Sequence, residues 1–358
     1  LAKASNKEVK HFFITQLELV GDEDSVPELS KTINDERLCA RTLRTLEAIG
    51  GESAKEAIYK AMGKASKKNL PKIIYSLGQL QYEEAREDIS VYVTSEDKQT
   101  RLISIGALAE IGERKSVGTI EDALEEADAS DKAQIAAYYI RLGERLHEDG
   151  GFWAGWSAKG ICKDIIKSKD SGINSAAKSS ALNLMVDKYG VKAMDYLTDA
   201  FDDGDAHLKY AAVTLAGGID DSEVAEVWGE KLLESSTGEQ IMIMEMFAGR
   251  QDKESLGYIR KAYEKGGPAV KIAALRSIVK IDKEGAVNDL IAAIDSDDEA
   301  FVETVKSLLM QTPTKKAGQA AVKALPDVST KGQIALIEYL ADRRVKSPQF
   351  AAHLLLCE

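Results

Sequence analysis

The sequence predicts an all-α fold, a right-handed α-solenoid of about eleven stacked helix pairs. Three observations predict it. Apolar residues recur three positions apart just before a turn, this recurrence has a period of roughly 31 residues, and no segment alternates in the manner of a β-strand. Because so short a helix pair cannot bury its apolar stripe alone, neighbouring pairs must cover it and share one elongated core.

The repeat is visible in the spacing of the apolar triplets. The clearest copies are Ile14/Leu17/Val20, Leu43/Leu46/Ile49, Ile74/Leu77/Leu80, Ile105/Leu108/Ile111, Leu275/Ile278/Ile281 and Ile334/Ile337/Leu340. The first four copies end 29, 31 and 31 residues apart, and the last two end 59 apart, which is two steps. Weaker copies of the triplet fill the gaps between them, so the whole chain, 1–358, is predicted to be one solenoid.

Each unit follows the same order of elements. A first helix ends at the triplet, and a glycine such as Gly21, Gly50 or Gly112 then ends the helix in the left-handed conformation. A shorter second helix follows, predicted over 26–33, 54–62, 117–124, 224–233 and 286–294. Acidic turns such as Asp202-Asp203-Gly204-Asp205 fit helix capping better than calcium binding, because the spacing of an EF-hand loop is absent. Some units carry Gln81, Arg250 or Asp282 in place of the terminal glycine.

One step of the repeat is too long. From Leu142 to Tyr189 is 47 residues, about 16 more than one unit. An insertion into a solenoid usually forms a loop on one face, and that face is often the binding face. We therefore predict an inserted loop at about 145–162.

Composition excludes several classes of protein. A net charge of −12 disfavours nucleic acid, and no stretch of 18 apolar residues predicts membrane insertion. The cysteines, Cys39, Cys162 and Cys357, are too far apart for a zinc site or disulfide framework, and Cys39 fits a buried helical position. Only one His-Glu pair, His147-Glu148, exists, and no phosphate loop or hydrolase elbow occurs. We expect no catalytic residue, no metal and no cofactor, so the chain is not predicted to be an enzyme.

The inserted segment holds a cluster of large aromatic residues. Phe152, Trp153 and Trp156 lie among glycines, and Arg141 and Arg145 precede them closely enough to rim a site. Two interpretations stand at this point. The aromatic segment folds back and plugs the solenoid where the period breaks, or it is a binding hot spot, since tryptophan buries much area with few rotamers. Trp228, on a second helix, is predicted to be a packing residue.

A family resemblance can be named on the first helices. The segments ARTLRTLEAIG (40–50), RLISIGALAEIG (101–112) and VKIAALR (270–276) resemble the HEAT-like repeats of the bacterial phycocyanobilin-lyase type. The resemblance covers the whole chain and concerns packing residues. It implies a repeat solenoid, and it raises a bilin-lyase activity as a remote alternative. An iron hydroxylase with HEAT-like repeats would need several His-Glu pairs, and a DNA glycosylase with such repeats would need a cationic groove.

The sequence therefore predicts a non-catalytic scaffold that binds a protein or a peptide. We expect the second helices to line a concave face and the aromatic segment to add specificity. The alternative is an accessory module of a larger exported bacterial enzyme whose catalytic domain lies elsewhere. The chain begins with Leu1, which favours removal of an export signal and a periplasmic or extracellular location over a cytoplasmic one.

Overall fold

The computed structural model describes residues 6–345, and these fall into two compact units that divide between Lys188 and Tyr189. Within 6–345 every regular element is a helix, and none is a strand. The helices alternate between the two positions of a repeated pair. The predicted all-α solenoid class is confirmed.

The first unit contains five helix pairs and the first helix of a sixth. Its helices are α1 (Lys7–Val20), α2 (Val26–Ser30), α3 (Cys39–Ile49), α4 (Gly51–Met62), α5 (Leu70–Gln79), α6 (Arg86–Ser90), α7 (Lys98–Ile111), α8 (Ser116–Glu126), α9 (Ala129–Glu148), α10 (Phe152–Lys167) and α11 (Ser175–Tyr189). A 3₁₀ turn precedes the short second helix α2, and 3₁₀ turns lie on both sides of the short second helix α6.

The second unit continues the alternation. Its helices are α12 (Met194–Asp203), α13 (Ala206–Gly217), α14 (Glu223–Glu234), α15 (Thr237–Arg250), α16 (Leu256–Lys265), α17 (Pro268–Ile281), α18 (Ala286–Ala293), α19 (Glu299–Leu309), α20 (Thr314–Ala324) and α21 (Thr330–Asp342). With the six odd-numbered helices of the first unit, the first helices in residues 6–345 number eleven, as the repeat count predicts.

Each unit has two layers. In the first unit α1, α3, α5, α7 and α9 contact one another in sequence order, and in the second unit α13, α15, α17, α19 and α21 do the same. Second helices form the other layer, where α2 packs on α4, α14 on α16, and α18 on α20. The apolar stripes of both layers meet in the core, which explains why the triplets were the strongest signal in the sequence.

Capping residues fix where the first helices begin. The side chains of Asp97, Asp128, Asp205 and Asp298 each accept a hydrogen bond from a backbone N–H in the first turn of the following helix. The Asp205 carboxylate accepts from Leu208 N at 2.9 Å. The capping interpretation of the acidic turn at 202–205 is therefore confirmed for Asp205.

Three details of the predicted turns differ. Gly50 and Gly112 have positive φ, but Gly21 is extended, and a Cβ there would lie 2.4 Å from the Leu17 carbonyl oxygen. Where glycine is missing, Gln81 after α5 and Gln251 after α15 take the left-handed conformation themselves, whereas Asp282 after α17 has a φ of −143°. After α15 the left-handed residue is Gln251 and not Arg250, because Arg250 is still the last residue of the helix.

The two outermost triplets are only partly buried. Val20 is 78% exposed and Ile334 is 53% exposed, whereas Ile14 and Leu340 are fully buried. The core stripe of α21 is rotated from the predicted one, because its buried residues are Gly332, Ala335, Leu336, Tyr339 and Leu340. The helix itself was predicted correctly, but the three-residue spacing placed Ile334 on the buried side of α21, and it lies on the exposed side.

Of the three cysteines, Cys39 and Cys162 are buried and unpaired, as predicted for Cys39, and Cys357 lies outside the described residues. Burial raises the pKa of the Cys162 thiol to about 12 and also raises that of Cys39, so both thiols remain protonated at neutral pH. No helix within residues 6–345 is long and apolar enough to cross a membrane.

Glu239 ties two successive first helices together. Its carboxylate accepts hydrogen bonds from Lys209 Nζ on α13 and from the backbone N and hydroxyl of Ser236, the cap of its own helix α15. The Lys209 bond, followed by those from Ser236, holds the pKa of Glu239 down at about 2 instead of 4.5. Its contribution to stability is therefore complete above the ordinary pKa, and it is lost as the pH falls through about 2.

We expect the Glu239→Gln variant to lose less stability on acidification than the parent between pH 4.5 and about 2. The measurement is urea denaturation followed by circular dichroism at several pH values. The control is Glu234→Gln, which removes an exposed carboxylate near the end of α14. Parallel pH profiles for the parent and Glu239→Gln would contradict the assigned linkage.

Candidate binding site

The long step of the repeat is a lengthened helix pair. The first helix α9 has 20 residues and runs six residues beyond Leu142, and the second helix α10 has 16 residues. The prediction of a loop at about 145–162 is therefore wrong for most of that range, and only 149–151 form the turn. The extra residues lengthen both helices and the segment that follows α10.

Two glycines lie within the part of this segment that is helical. Gly155 and Gly160 lie inside α10, where each disfavours helix by up to about 1 kcal/mol relative to alanine. Packing overrides that preference, because Ala154, Ala158 and Ile161 recur at helical spacing and are buried in the face that contacts α9. Tertiary burial thus selects helix against the local composition.

The three aromatic side chains lie on the opposite side of α10 from that buried face. Phe152 is 80% exposed, Trp153 63% and Trp156 68%. Phe152 and Trp156 each stand two residues from Ala154, which is about 200° around the helix. The rings of Phe152 and Trp153 meet edge to face with centroids 5.3 Å apart. The plug interpretation is wrong, because a plug would be buried.

A cleft of about 660 Å³ opens beside the start of α10. Phe152 and Trp153 form one wall, and the ends of α7 and α9 form the others, including Gly112, Arg145 and Asp149. Of the five predicted site residues, the cleft brings together Phe152, Trp153 and Arg145. Trp156 lies one turn further along α10, and Arg141 is not part of the cleft lining.

Arg141 is held by carboxylates of the first-helix layer. Its Nε and Nη2 donate to the two carboxylate oxygens of Glu110 at 3.0 Å each, and Nη1 donates to Glu144 at 3.0 Å. These bonds raise the pKa of the guanidinium further above its ordinary value. The bidentate geometry makes Arg141 a bridge between α7 and α9. Arg141 could contact a ligand at the rim of the site only if its hydrogen bonds to Glu110 were broken.

Arg145 caps the neighbouring helix. Its Nε donates to the Glu110 carbonyl oxygen at 3.2 Å, near the C-terminus of α7, and Nη1 pairs with Glu148. A Cβ on Gly112 would lie 2.9 Å from Arg145 Cβ, so the α7 end and Arg145 are in close contact. Arg250 and Arg343 do the same for α13 and α19, donating to carbonyls at 216–221 and 309–312.

Four carboxylates that the sequence analysis did not assign to a binding site line the cleft. They are Glu83, Glu113, Glu148 and Asp149, and the basic residues of the lining are Arg114 and Arg145. The lining therefore carries four negative and two positive charges, a net charge of −2. No sequence signal marks these four, because 59 acidic residues are spread along the whole chain.

The remaining candidates bring no chemistry together. Within residues 6–345 no three His, Cys, Asp or Glu side chains are placed to hold a metal ion. Trp228 is fully buried, as predicted. Asp202 pairs with Lys231 at 2.8 Å, linking the second helices α12 and α14.

Several solved structures are remotely similar to this chain. No family model matches the chain, and no curated protein matches it. Human deoxyhypusine hydroxylase is 15% identical, with 73% of this chain and 96% of that chain covered and a TM-score of 0.33. Kap121p is 13% identical over 97% of this chain and 43% of its own, with a TM-score of 0.47. The CpcE–CpcF complex of phycocyanin lyase from a Nostoc species is 14% identical, over 76% and 92%, with a TM-score of 0.26.

The helix pairs place the chain among HEAT-like repeat folds. Their two layers and their repeated contacts between first helices are the observations that decide it. The finer resemblance to the phycocyanobilin-lyase type has no support from a family model. This chain also spans less than half of Kap121p, and at these identities and TM-scores the likenesses carry nothing about its ligand or activity.

Proposed function

We propose that this chain is a non-catalytic scaffold that binds a protein or peptide partner through the aromatic face of α10, defined by Phe152, Trp153 and Trp156. The observation that carries the proposal is the exposure of these three side chains, between 63% and 80%, on a regular helix. Packing within the first unit does not require them, because Ala154 and Ala158 face the core instead.

The energetic argument concerns the apolar area left in water. Large aromatic side chains bury about 150–250 Å² each when covered, so a partner that covers one tryptophan gains about 3 kcal/mol before the costs of association. Hot spots of this kind cost about 2 kcal/mol or more when truncated. Three such rings within five residues favour a specific contact over scattered surface hydrophobicity.

The test compares the parent chain with the Trp153→Ala/Trp156→Ala variant in affinity capture from native lysate, followed by binding measurements on whichever protein is captured. We expect the double variant to bind that partner at least about thirtyfold more weakly, because about 2 kcal/mol is lost. Circular dichroism must show equal helix content in both proteins.

Tyr75→Ala is the matched control, since Tyr75 is a 54% exposed aromatic residue on α5 of the same unit. The control must keep the partner. Equal capture by the parent and the double variant would overturn the proposed role of α10. Turnover of the captured partner by the parent chain would overturn the non-catalytic part of the proposal.

A further inference from the structure

We infer that the cleft beside Trp153 receives a lysine or arginine side chain from a basic segment of the partner. This inference rests on the proposed function, because it names the chemistry of the partner at the same aromatic face. Two observations carry it: the charge of the cleft lining and the aromatic rings at its wall.

Charge is the first observation. The lining carries four carboxylates and two guanidinium groups. Arg145 pairs with Glu148, and Glu113 pairs with Arg86 at 3.1 Å. Among the described ion pairs none involves Glu83 or Asp149, and both side chains are exposed. Two carboxylates therefore remain at the cleft without a cation, against one basic side chain, Arg114.

Helix ends contribute little to the charge of the cleft. The C-termini of α7 and α9 lie at the cleft through Ile111, Gly112, Glu148 and Asp149. The N-terminus of α10 lies there through Phe152, and Glu113 and Arg114 lead into the N-terminus of α8. Each C-terminus contributes roughly half a negative charge and each N-terminus roughly half a positive one, so these ends offset one another and the negative charge of the cleft comes from its side chains.

The aromatic rings at the wall of the cleft suit a long basic side chain. Phe152 and Trp153 meet edge to face, which leaves ring surface of both open at the wall. Tryptophan is the best partner for a cation–π contact, and a long basic side chain lays its methylene stem on such a ring while its charged end reaches carboxylates. A purely apolar partner would use the rings and leave Glu83 and Asp149 unpaired.

The first test needs no partner and measures the sign of the electrostatic potential around Trp153. In the Trp156→Phe protein the remaining tryptophans are Trp153, which is exposed, and Trp228, which is fully buried. Lys159, Lys163 and Lys167 lie further along α10, which is why Trp156 is removed from the readout. We expect caesium to quench Trp153 fluorescence more efficiently than iodide when each quenching constant is divided by that of free N-acetyltryptophanamide, since counter-ions collect at charges of the opposite sign. A larger normalised constant for iodide would overturn the inference.

The second test is titration of the same protein with a short oligolysine peptide and a matched oligoglutamate peptide, following Trp153 fluorescence. Oligolysine should bind and oligoglutamate should not. The Glu83→Gln/Asp149→Asn variant should bind oligolysine about tenfold more weakly, the effect of losing two partly exposed charge contacts. The Trp153→Ala change, followed by a label on the peptide, should weaken it further.

The matched control is Glu125→Gln/Glu126→Gln, which makes the same change in net charge at the exposed end of α8. Equal loss of oligolysine affinity in both double variants would mean that the peptide responds only to the overall charge of the protein, and it would overturn the inference.

The two proposals fail separately. A native partner that needs the tryptophans but carries no basic segment refutes the cationic inference alone. Oligolysine binding together with unchanged capture by the tryptophan variant refutes the proposed function alone.

Discussion

Replacing Trp228 by alanine is expected to lower the free energy of unfolding by about 3–5 kcal/mol, the usual cost of removing a buried aromatic side chain. Trp228 is fully buried on α14. Its ring meets Phe201 edge to face at 5.3 Å, and its indole N–H points to the Met194 sulfur at 3.2 Å. The truncation would leave a large cavity between α12 and α14.

Chemical denaturation, followed by circular dichroism, measures the effect. Trp156→Ala is the control, because it removes the same side chain from a 68% exposed position and should change stability by less than about 1 kcal/mol. Repeat proteins can unfold in steps, so two spectroscopic probes must give the same midpoint before a single free energy is assigned. Similar losses in both variants would contradict the distinction between the packing tryptophan and the exposed ones.

Arg250→Met is expected to cost about 2–3 kcal/mol, because it removes the cap of the preceding first helix while keeping most of the side-chain volume. The guanidinium donates to the carbonyl oxygens of Gly217 at 3.3 Å and Asp221 at 3.1 Å, and also to that of Ile219. Only 13% of the Arg250 side chain is exposed, so water cannot replace all of these donors.

The same substitution at Arg145 tests the assignment of that residue. Arg145 donates to one carbonyl, that of Glu110, and we expect Arg145→Met to cost about 1 kcal/mol. Arg276→Met, at an exposed position on α17, is the control and should be neutral. Thermal and urea unfolding of the three variants give the order. If Arg145→Met lowered the free energy of unfolding more than Arg250→Met, the assignment of Arg145 as the weaker helix cap would be contradicted.

Much of the fold was predictable, because apolar spacing and turn chemistry are local. The second helix predicted at 224–233 is found at Glu223–Glu234, and the one predicted at 286–294 is found at Ala286–Ala293. The first helices bury their triplet residues where another first helix packs on each side of them. At Val20 and Ile334 the triplet rule failed, since three-residue spacing does not by itself fix which side of a helix is covered.

The site was only half predictable. The sequence picked out Phe152, Trp153 and Trp156, but it could not show that they are exposed until Ala154 and Ala158 fixed the buried side of α10. The carboxylates of the cleft come from the turn at 83–85, the turn after α7 and the end of α9. These segments are far apart in the sequence, and only the fold brings them together. The arginine caps were missed for the same reason, because donor and acceptor lie 29–35 residues apart.

Those arginine caps make the ends of α7, α13 and α19 depend on the repeat that follows each of them. In the second unit, the carbonyls at the end of α13 find their donor only when Arg250 of α15 is in place, and the carbonyls after α19 depend on Arg343 of the next first helix. The dependence runs in one direction along the chain. Loss of order in a later repeat would therefore expose the preceding helix end at once, whereas loss in an earlier repeat would leave the later end intact. Such a unit should melt from its C-terminal side, and amide exchange would record the order.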